Sequence, residues 1–445
     1  MDKDMTLTKD WLSKRKVKSS TPQGRILAHA LSSTSLNDAL FDSSTREDLT
    51  HFSIELQTMP VCNQRRSGRC WIFAGLNLLR EIIGAKIGCK NLELSQNYLS
   101  TFDKIEKANF ALNSVFELLK KGEKPSERLL SHVLAEPVGD GGQWDMFVNL
   151  VCKYGLLPSM AYYETAQSNE TAPSNFLLNQ AIREFAFKAH SLLCQGKDPT
   201  PLYLETRDKI SDMLFACFGF PPESFDFAYE DKDGVYHRES GLTPLAFFEK
   251  YVGRDYLLSF QSLIHSPTLD KPYMHNFTID YLGNVKEGRP INHLNLPMER
   301  IKEVIVACLK DGLPVWFGSD VSFYRGKDLG YWKYGAFDYE TAFGFKPDFD
   351  KAAMLDFKAS AMNHAMLITG VDLVDGKPAK WKIENSWGKD NGVKDGYYTM
   401  DAEWFDRFVY QAVVPGAYLN EEEKEAASKE PTHLPPWDPM GTLAD

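Results

Sequence analysis

Residues 63–74 read Asn-Gln-Arg-Arg-Ser-Gly-Arg-Cys-Trp-Ile-Phe-Ala. Polar residues and a glycine give way at Cys70 to an apolar run. Ile72, Leu76, Leu79 and Ile83 recur at helical spacing, and Phe73, Leu78 and Ile82 add apolar positions on other faces. A helix apolar almost all round is buried, so a central helix is predicted to open at Cys70, with Gly84 and Gly88 marking its end. A cysteine that follows a glycine-containing turn and opens a helix is placed for activation. The partial positive charge of the helix N-terminus favours the thiolate over the thiol. A neighbouring imidazolium favours it further and yields a nucleophile at neutral pH.

The partner for such a cysteine is found in Asn363-His364-Ala365, at the head of a strand-like stretch. A lone histidine is usually structural or solvated, and the other nine are read that way. His364 differs because Glu384-Asn385-Ser386-Trp387-Gly388 follows it. An asparagine carbonyl can accept the imidazole N–H, fix its tautomer and orient the ring. The plainer alternative for Asn385 is a turn residue before Gly388. The other cysteines, at 62, 89, 152, 194, 217 and 308, are read as buried core residues, since cysteine is commonly buried.

Composition narrows the classes. The chain has 445 residues, enough for about three structural units at about 150 residues each and for a substantial core. Apolar residues make up 43% and charged residues 25%, which excludes a disordered, collagenous or integral-membrane chain. The net charge of −11 argues against nucleic acid or anionic lipid as a partner. Seven irregularly spaced cysteines without a C-x-x-C pair suggest neither a disulfide scaffold nor a zinc knuckle. Phosphate-loop, dinucleotide, zincin and serine-elbow motifs are absent, and no histidines pair at metal-ligand spacing, so no metal and no cofactor is expected. Residues 1–18 carry no signal-peptide pattern, and aliphatic runs such as Val304–Leu309 fall far short of the roughly 18 residues of a membrane span. A cytoplasmic protein in a reducing compartment is expected, with no membrane association.

The order of elements points to an α+β protein. Helical patterns cover 176–193, 202–218 and 298–310. Phe225, Phe227 and Tyr229 alternate ahead of an Asp231-Lys232-Asp233-Gly234 turn, and Thr243-Pro244 opens a further helix. Strand-like segments follow at 314–317, 364–369, 381–383 and 396–400. The expected division is an N-terminal arm over 1–50, a nucleophile-bearing half over 51–158, a mainly helical insert over 159–290, a His/Asn-bearing half over 291–420 and a C-terminal stretch over 421–445. That last stretch is charged, then proline-rich, and reads as a tail rather than a core element.

Gln64, Cys70-Trp71, Asn363-His364-Ala365 and Asn385-Ser386-Trp387-Gly388 stand in the order seen in papain-like cysteine proteases, and the chain resembles that superfamily. Leu92-Glu93-Leu94-Ser95-Gln96 and Gly139-Asp140-Gly141-Gly142-Gln143-Trp144 agree. The long insert, the lack of a disulfide pattern and Pro436-Trp437-Asp438-Pro439-Met440-Gly441 make the resemblance closer to the bleomycin hydrolase and aminopeptidase C branch. The resemblance implies a papain-like fold of a helical half and a β-rich half with the site between them. It also implies a cysteine aminopeptidase acting on peptide substrates and bleomycin-like amides through an acyl-enzyme. Cys70, His364 and Asn385 would be catalytic, Gln64 would serve the oxyanion hole with the Cys70 N–H, and Trp387 would shield the His–Asn bond. Gly141 and Gly142 would bind substrate backbone. The branch further implies a homohexamer and a C-terminal arm lying in its own cleft, where Asp445, one residue beyond the usual end, would meet the substrate amine. An endopeptidase on the same fold, a non-catalytic binding protein and an acyltransferase remain as alternatives.

Overall fold

The computed structural model describes residues 5–45, 48–324 and 330–444. The helix predicted from Cys70 spans Cys70–Ile87, and 13 of its 18 residues are buried, which makes it the central helix of the molecule. Gly88 ends it in the left-handed region at φ 71°. Gly84 does not end it. It lies inside the helix, where a Cβ would stand 2.3 Å from the Met59 terminal methyl, so the missing side chain serves close packing. Helices Gln96–Lys120 and Trp144–Tyr154 pack beside it, and Trp71, Leu76, Leu99, Trp144 and Phe147 share their core.

Helices Ala172–Cys194 and Thr200–Phe218 lie against Gln96–Lys120 and build a separate apolar core with it, including Leu112, Ile182, Phe185 and Leu214. The predicted hairpin is present as Phe225–Glu230 and Tyr236–Leu242. Thr243 caps helix Pro244–Tyr251 by accepting the Ala246 N–H. Strands Phe260–Ile264 and Asn276–Ile279, which the sequence reading assigned to the insert, hydrogen-bond into the large sheet.

That sheet runs Thr432–Leu434, Asn276–Ile279, His293–Asn295, Phe260–Ile264, Val409–Pro415, Val315–Ser319, His364–Val374, Lys377–Glu384, Tyr397–Asp401 and Tyr331–Trp332, with Ile54–Glu55 pairing onto His364–Val374. The His364 strand is central, and its register sets Ser319 opposite His364 and Leu367 opposite Glu384. Helix Met298–Lys310 covers a face of the sheet, its Val304 and Ile305 sharing a core with Phe317, Ile368 and Trp381 of the strands. The nucleophile helix packs on the His364 strand, and Trp316 Nε1 donates to the Trp71 carbonyl at 3.2 Å across the junction.

Two further expectations need correction. The stretch 421–445 is no mere tail. Glu421–Ser428 is a helix closed by an Asn420/Glu423 capping box, Thr432–Leu434 is a sheet strand, and Leu434, Met440 and Ala444 belong to the same core as Cys70. Its few apolar residues are spaced to dock one at a time on an existing surface, which leaves no periodicity to read. The cysteines also divide: Cys62, Cys89, Cys152 and Cys308 are buried, but Cys194 is exposed at its helix end and Cys217 is half-buried. No cysteine forms a disulfide. Among the described residues no helix is long and apolar enough to cross a membrane.

Candidate active site

Arg69 precedes the nucleophile helix and provides no side-chain cap; its carbonyl accepts the Ile72 and Phe73 N–H groups, both at 3.0 Å. Arg69 is turned inward instead. Its guanidinium pairs with both carboxylate oxygens of Glu164, at 3.1 and 2.9 Å, and donates to Ser67 Oγ at 2.9 Å. Ser67 Oγ in turn donates to the Gln64 carbonyl. This ties down the loop that delivers Cys70.

Cys70 is fully buried, His364 is 2% exposed and Asn385 1%. The Ala365 backbone N–H points at Cys70 Sγ, 3.4 Å away, which sets the head of the His364 strand against the sulfur. His364 Nε2 lies 2.9 Å from Asn385 Oδ1. An amide oxygen can only accept, so Nε2 carries the proton and Nδ1 is the basic ring nitrogen. Trp387 stacks on the imidazole, with ring centroids 4.9 Å apart and planes 27° from parallel. Gln64 Oε1 accepts from Ser386 Oγ at 2.5 Å, and one of its amide hydrogens goes to the Ser67 carbonyl at 2.7 Å. The Gln64 N–H donates to the Ser386 carbonyl at 2.8 Å, so the stretch around Gln64 is stitched to the one around Asn385. The structure thus brings Gln64, Cys70, His364, Asn385 and Trp387 into one place.

Gly141 and Gly142 border it. Gly142 packs on the Trp71 indole so closely that a Cβ would stand 2.4 Å from the ring, and only glycine fits. Lys107 holds the strand edge from behind by donating to the Gly141 carbonyl at 2.6 Å, and it pairs with Asp103 at 2.7 Å. The outer edge of Gly142 is taken by the chain's own C-terminus. Gly142 N–H donates to Ala444 O at 3.1 Å and Ala444 N–H to Gly142 O at 3.3 Å, an antiparallel bridge. The approach to Ala444 is anchored in steps. Arg128 stacks 3.7 Å over the Trp437 ring, Asp438 pairs with buried Lys271 at 2.9 Å, and Gln143 donates to the Thr442 carbonyl at 2.5 Å. Asp445 lies outside the described residues.

The Peptidase C1-like family profile matches residues 6–441. The chain belongs to that family. It is 43% identical over 431 residues to aminopeptidase C of Lactobacillus delbrueckii subsp. lactis, covering 95% of each. It is 38% identical over 395 residues to the bleomycin hydrolase of Mus musculus, covering 87% of this chain and 86% of that one. The crystal structure of PepW from Lactobacillus rhamnosis HN001 superposes with a TM-score of 0.95 at 40% identity, covering 99% and 100% of the two chains. The protein is a cysteine peptidase of the aminopeptidase C and bleomycin hydrolase type, with a papain-like α+β fold.

Sequence reasoning missed several residues that shape this peptidase site. Asp140 is the chief one. It accepts the Gly68 N–H at 3.0 Å, pairs with Lys104 and accepts from Thr171 and from Asn175, while its carbonyl takes the Trp71 indole N–H at 2.8 Å. Burial opposes its ionisation, but Lys104 and the hydrogen bonds from Thr171 and Asn175 outweigh that and hold its carboxyl well below the usual range. Asp140 stood in the quoted Gly139–Trp144 stretch, yet its partners come from two other helices, which no local pattern announces. Arg69 and Ser67 were in plain view beside Cys70, but nothing in the sequence says that Arg69 turns inward to Glu164.

Proposed function

We propose that this cysteine peptidase is an aminopeptidase that removes N-terminal residues from peptides, and amides of the bleomycin kind, through a thiolate and an acyl-enzyme. The observation that carries the proposal is the Gly142–Ala444 bridge. An extended substrate would add to the Gly141–Gly142 edge by such main-chain bonds. With Ala444 there, little chain can extend on the N-terminal side of the scissile bond. A terminal carboxylate at or just beyond Ala444 would meet the ammonium of a free N-terminus, which is the place proposed for Asp445.

In the proposed reaction Cys70 first passes its thiol proton to His364 Nδ1, and the thiolate Sγ then attacks the scissile carbonyl carbon and forms a C–S bond. The negative charge that develops on the carbonyl oxygen is met by the Cys70 backbone N–H and by the second amide hydrogen of Gln64. Each such donor is worth about 3 kcal/mol in the transition state. His364 Nδ1–H then protonates the leaving amine as the C–N bond breaks. Water next attacks the thioester, Nδ1 takes its proton, and the C–S bond breaks to release the carboxylic acid. Asn385 keeps the ring in the tautomer that leaves Nδ1 to do this, and stacked Trp387 keeps water from their bond. We further propose that the enzyme works in the cytoplasm and as a homohexamer; the exposed N-terminal helices favour the assembly.

The test compares free and N-acetylated aminoacyl reporter substrates on the full chain and on a chain lacking Leu434–Asp445. The full chain should cleave only the free amines. The truncated one should lose most of that activity and gain turnover on blocked or internal bonds. Equal cleavage of both substrates by the full chain refutes the exopeptidase reading in favour of an endopeptidase.

A further inference from the structure

Below the site lies a buried polar cluster that the reaction above does not use. Arg80 stands nearly three turns along the helix from Cys70. Its side chain is 2% exposed and that of Glu384 is 0%. Arg80 Nη2 donates to Glu384 Oε1 at 2.9 Å, and Asn77 Nδ2, from the same helix, donates to the same oxygen at 2.9 Å. Arg80 also donates to the Met59 carbonyl at 3.1 Å and to Cys62 Sγ at 3.3 Å. The cluster therefore joins the nucleophile helix, the segment leading to Gln64 and the end of the Lys377–Glu384 strand.

Its position matters because of what comes next in the chain. Glu384 is the last ladder residue of its strand, opposite Leu367 and Tyr397, and Asn385 projects beyond the ladder. Asn385 Oδ1 accepts from the His364 ring and from the Ser386 N–H, but its buried Nδ2 has no acceptor. The amide is thus held through one atom, and the rest of its placement comes from the backbone. After Asn385 the backbone is tied by the Ser386 carbonyl to Gln64 and by the Gly388 N–H to the Cys62 carbonyl. Before it, the tie is Glu384.

We infer that Arg80 and Glu384 are positioning residues for the peptidase reaction: their buried ion pair ties the strand that presents Asn385 to the helix that presents Cys70, and so sets His364 against the sulfur. Stability alone does not account for the pair, because a buried ion pair loses much of its attraction to desolvation and a well-packed apolar pair would stabilise as well. What an apolar contact would not supply is a directed tie between two particular elements.

The charge state of the pair responds near neutrality. Burial pushes the Glu384 carboxyl up to about 7 against the pull of Arg80. Glu81 on the helix raises it further, while Thr58 and Lys382 lower it. Cys62, itself beside Arg80 and Glu93, and Tyr397 on the neighbouring strand complete the surroundings. As pH falls through about 7, Glu384 takes up a proton and the pair loses its ionic character.

The inference rests on the proposed roles of Cys70, His364 and Asn385. The experiment uses Glu384→Gln, which keeps the shape and an acceptor oxygen, the double variant Arg80→Met/Glu384→Gln, which removes both charges of the pair and leaves Glu81, 3.4 Å from Arg80, with its hydrogen bond from the Met59 N–H, and Arg80→Lys. Steady-state kinetics are measured from pH 5 to 8.5, with iodoacetamide alkylation mapped to Cys70 over the same range. Glu384→Gln and the double variant should fold, lose between about ten- and a hundredfold in kcat, keep KM within about twofold, and alkylate Cys70 more slowly at pH 6. The part of the acid limb of kcat centred near pH 7 should vanish with the carboxyl, and Arg80→Lys should recover part of the loss. Wild-type kcat and alkylation profile in folded variants, with only a lower melting temperature, would overturn the inference, and so would failure of all three to fold, since the pair would then serve stability. Absence of alkylation at Cys70 in the unaltered enzyme at pH 6 would defeat the catalytic assignment itself, which separates the two failures.

Discussion

At the scale of single residues, the proposed chemistry turns on a sulfur, an imidazole and an amide that meet from distant parts of the chain. Cys70→Ser should abolish turnover, by at least about a thousandfold, with the fold intact, because a hydroxyl cannot be held as an ion pair with His364. Asn385→Ala should cost less, because Asn385 orients and does not react. Steady-state kinetics beside circular dichroism check both, and equal losses would defeat the ranking. Asp140→Asn tests the network behind the loop. Its carboxyl is held below the ordinary value near 3.8, so on acidification the unfolded chain takes up this proton first. Its stabilising contribution is therefore complete above about pH 4 and is lost only as pH falls through the lower folded value. Asp140→Asn leaves Lys104 buried without its counter-charge, which should cost about 3–5 kcal/mol at pH 7. Urea unfolding should show that penalty shrinking below pH 4. A penalty independent of pH would mean that the hydrogen-bond geometry, not the charge, is what Asp140 supplies.

At the scale of elements, the C-terminal arm departs most from its sequence. Its strand Thr432–Leu434 pairs in parallel with Asn276–Ile279, and its end pairs with Gly142. Between these lies the Lys271–Asp438 pair, with side chains 4% and 8% exposed. Lys271→Met removes the cation from a carboxylate that is largely withdrawn from water. The arm should then leave its seat part of the time, lowering aminopeptidase turnover and raising cleavage of N-acetylated peptides, a milder form of the truncation. Unchanged turnover on both substrates would show that Trp437 and Met440 suffice to hold it. The arm was legible only as residue types, a charged and then proline-rich stretch, because a segment that buries one side chain at a time has no period.

For the molecule as a whole, helices Lys9–Ser19 and Pro22–Leu31 bury none of their residues against their own chain, and Trp11, Val17 and Ile26 stand 47%, 77% and 69% exposed. Leu27 packs on the Leu40, Ala336 and Phe337 cluster, but the apolar side chains left exposed on these helices are expected to find another copy. Light scattering under reducing conditions should give a species near six chains of 50.5 kDa, and removal of residues 1–31 should reduce it. A monomer in both cases would refute the assembly.

The sequence alone made legible the nucleophile helix, helices over 176–193, 202–218 and 298–310, the hairpin and the strand that His364 opens, because each carries its own period, cap or turn. It also picked out Cys70, His364, Asn385 and Gln64, whose short motifs are dense with residue types that this chemistry requires. The folded chain, and nothing local, makes Asp140 answer Lys104, turns Arg69 inward to Glu164, brings Glu384 to Arg80 beneath the site and closes the edge of Gly142 with Ala444. Those contacts join positions tens to hundreds of residues apart. Burial and the approach of whole elements create them, and a charge or an alanine read along the chain carries no mark of the partner it will meet.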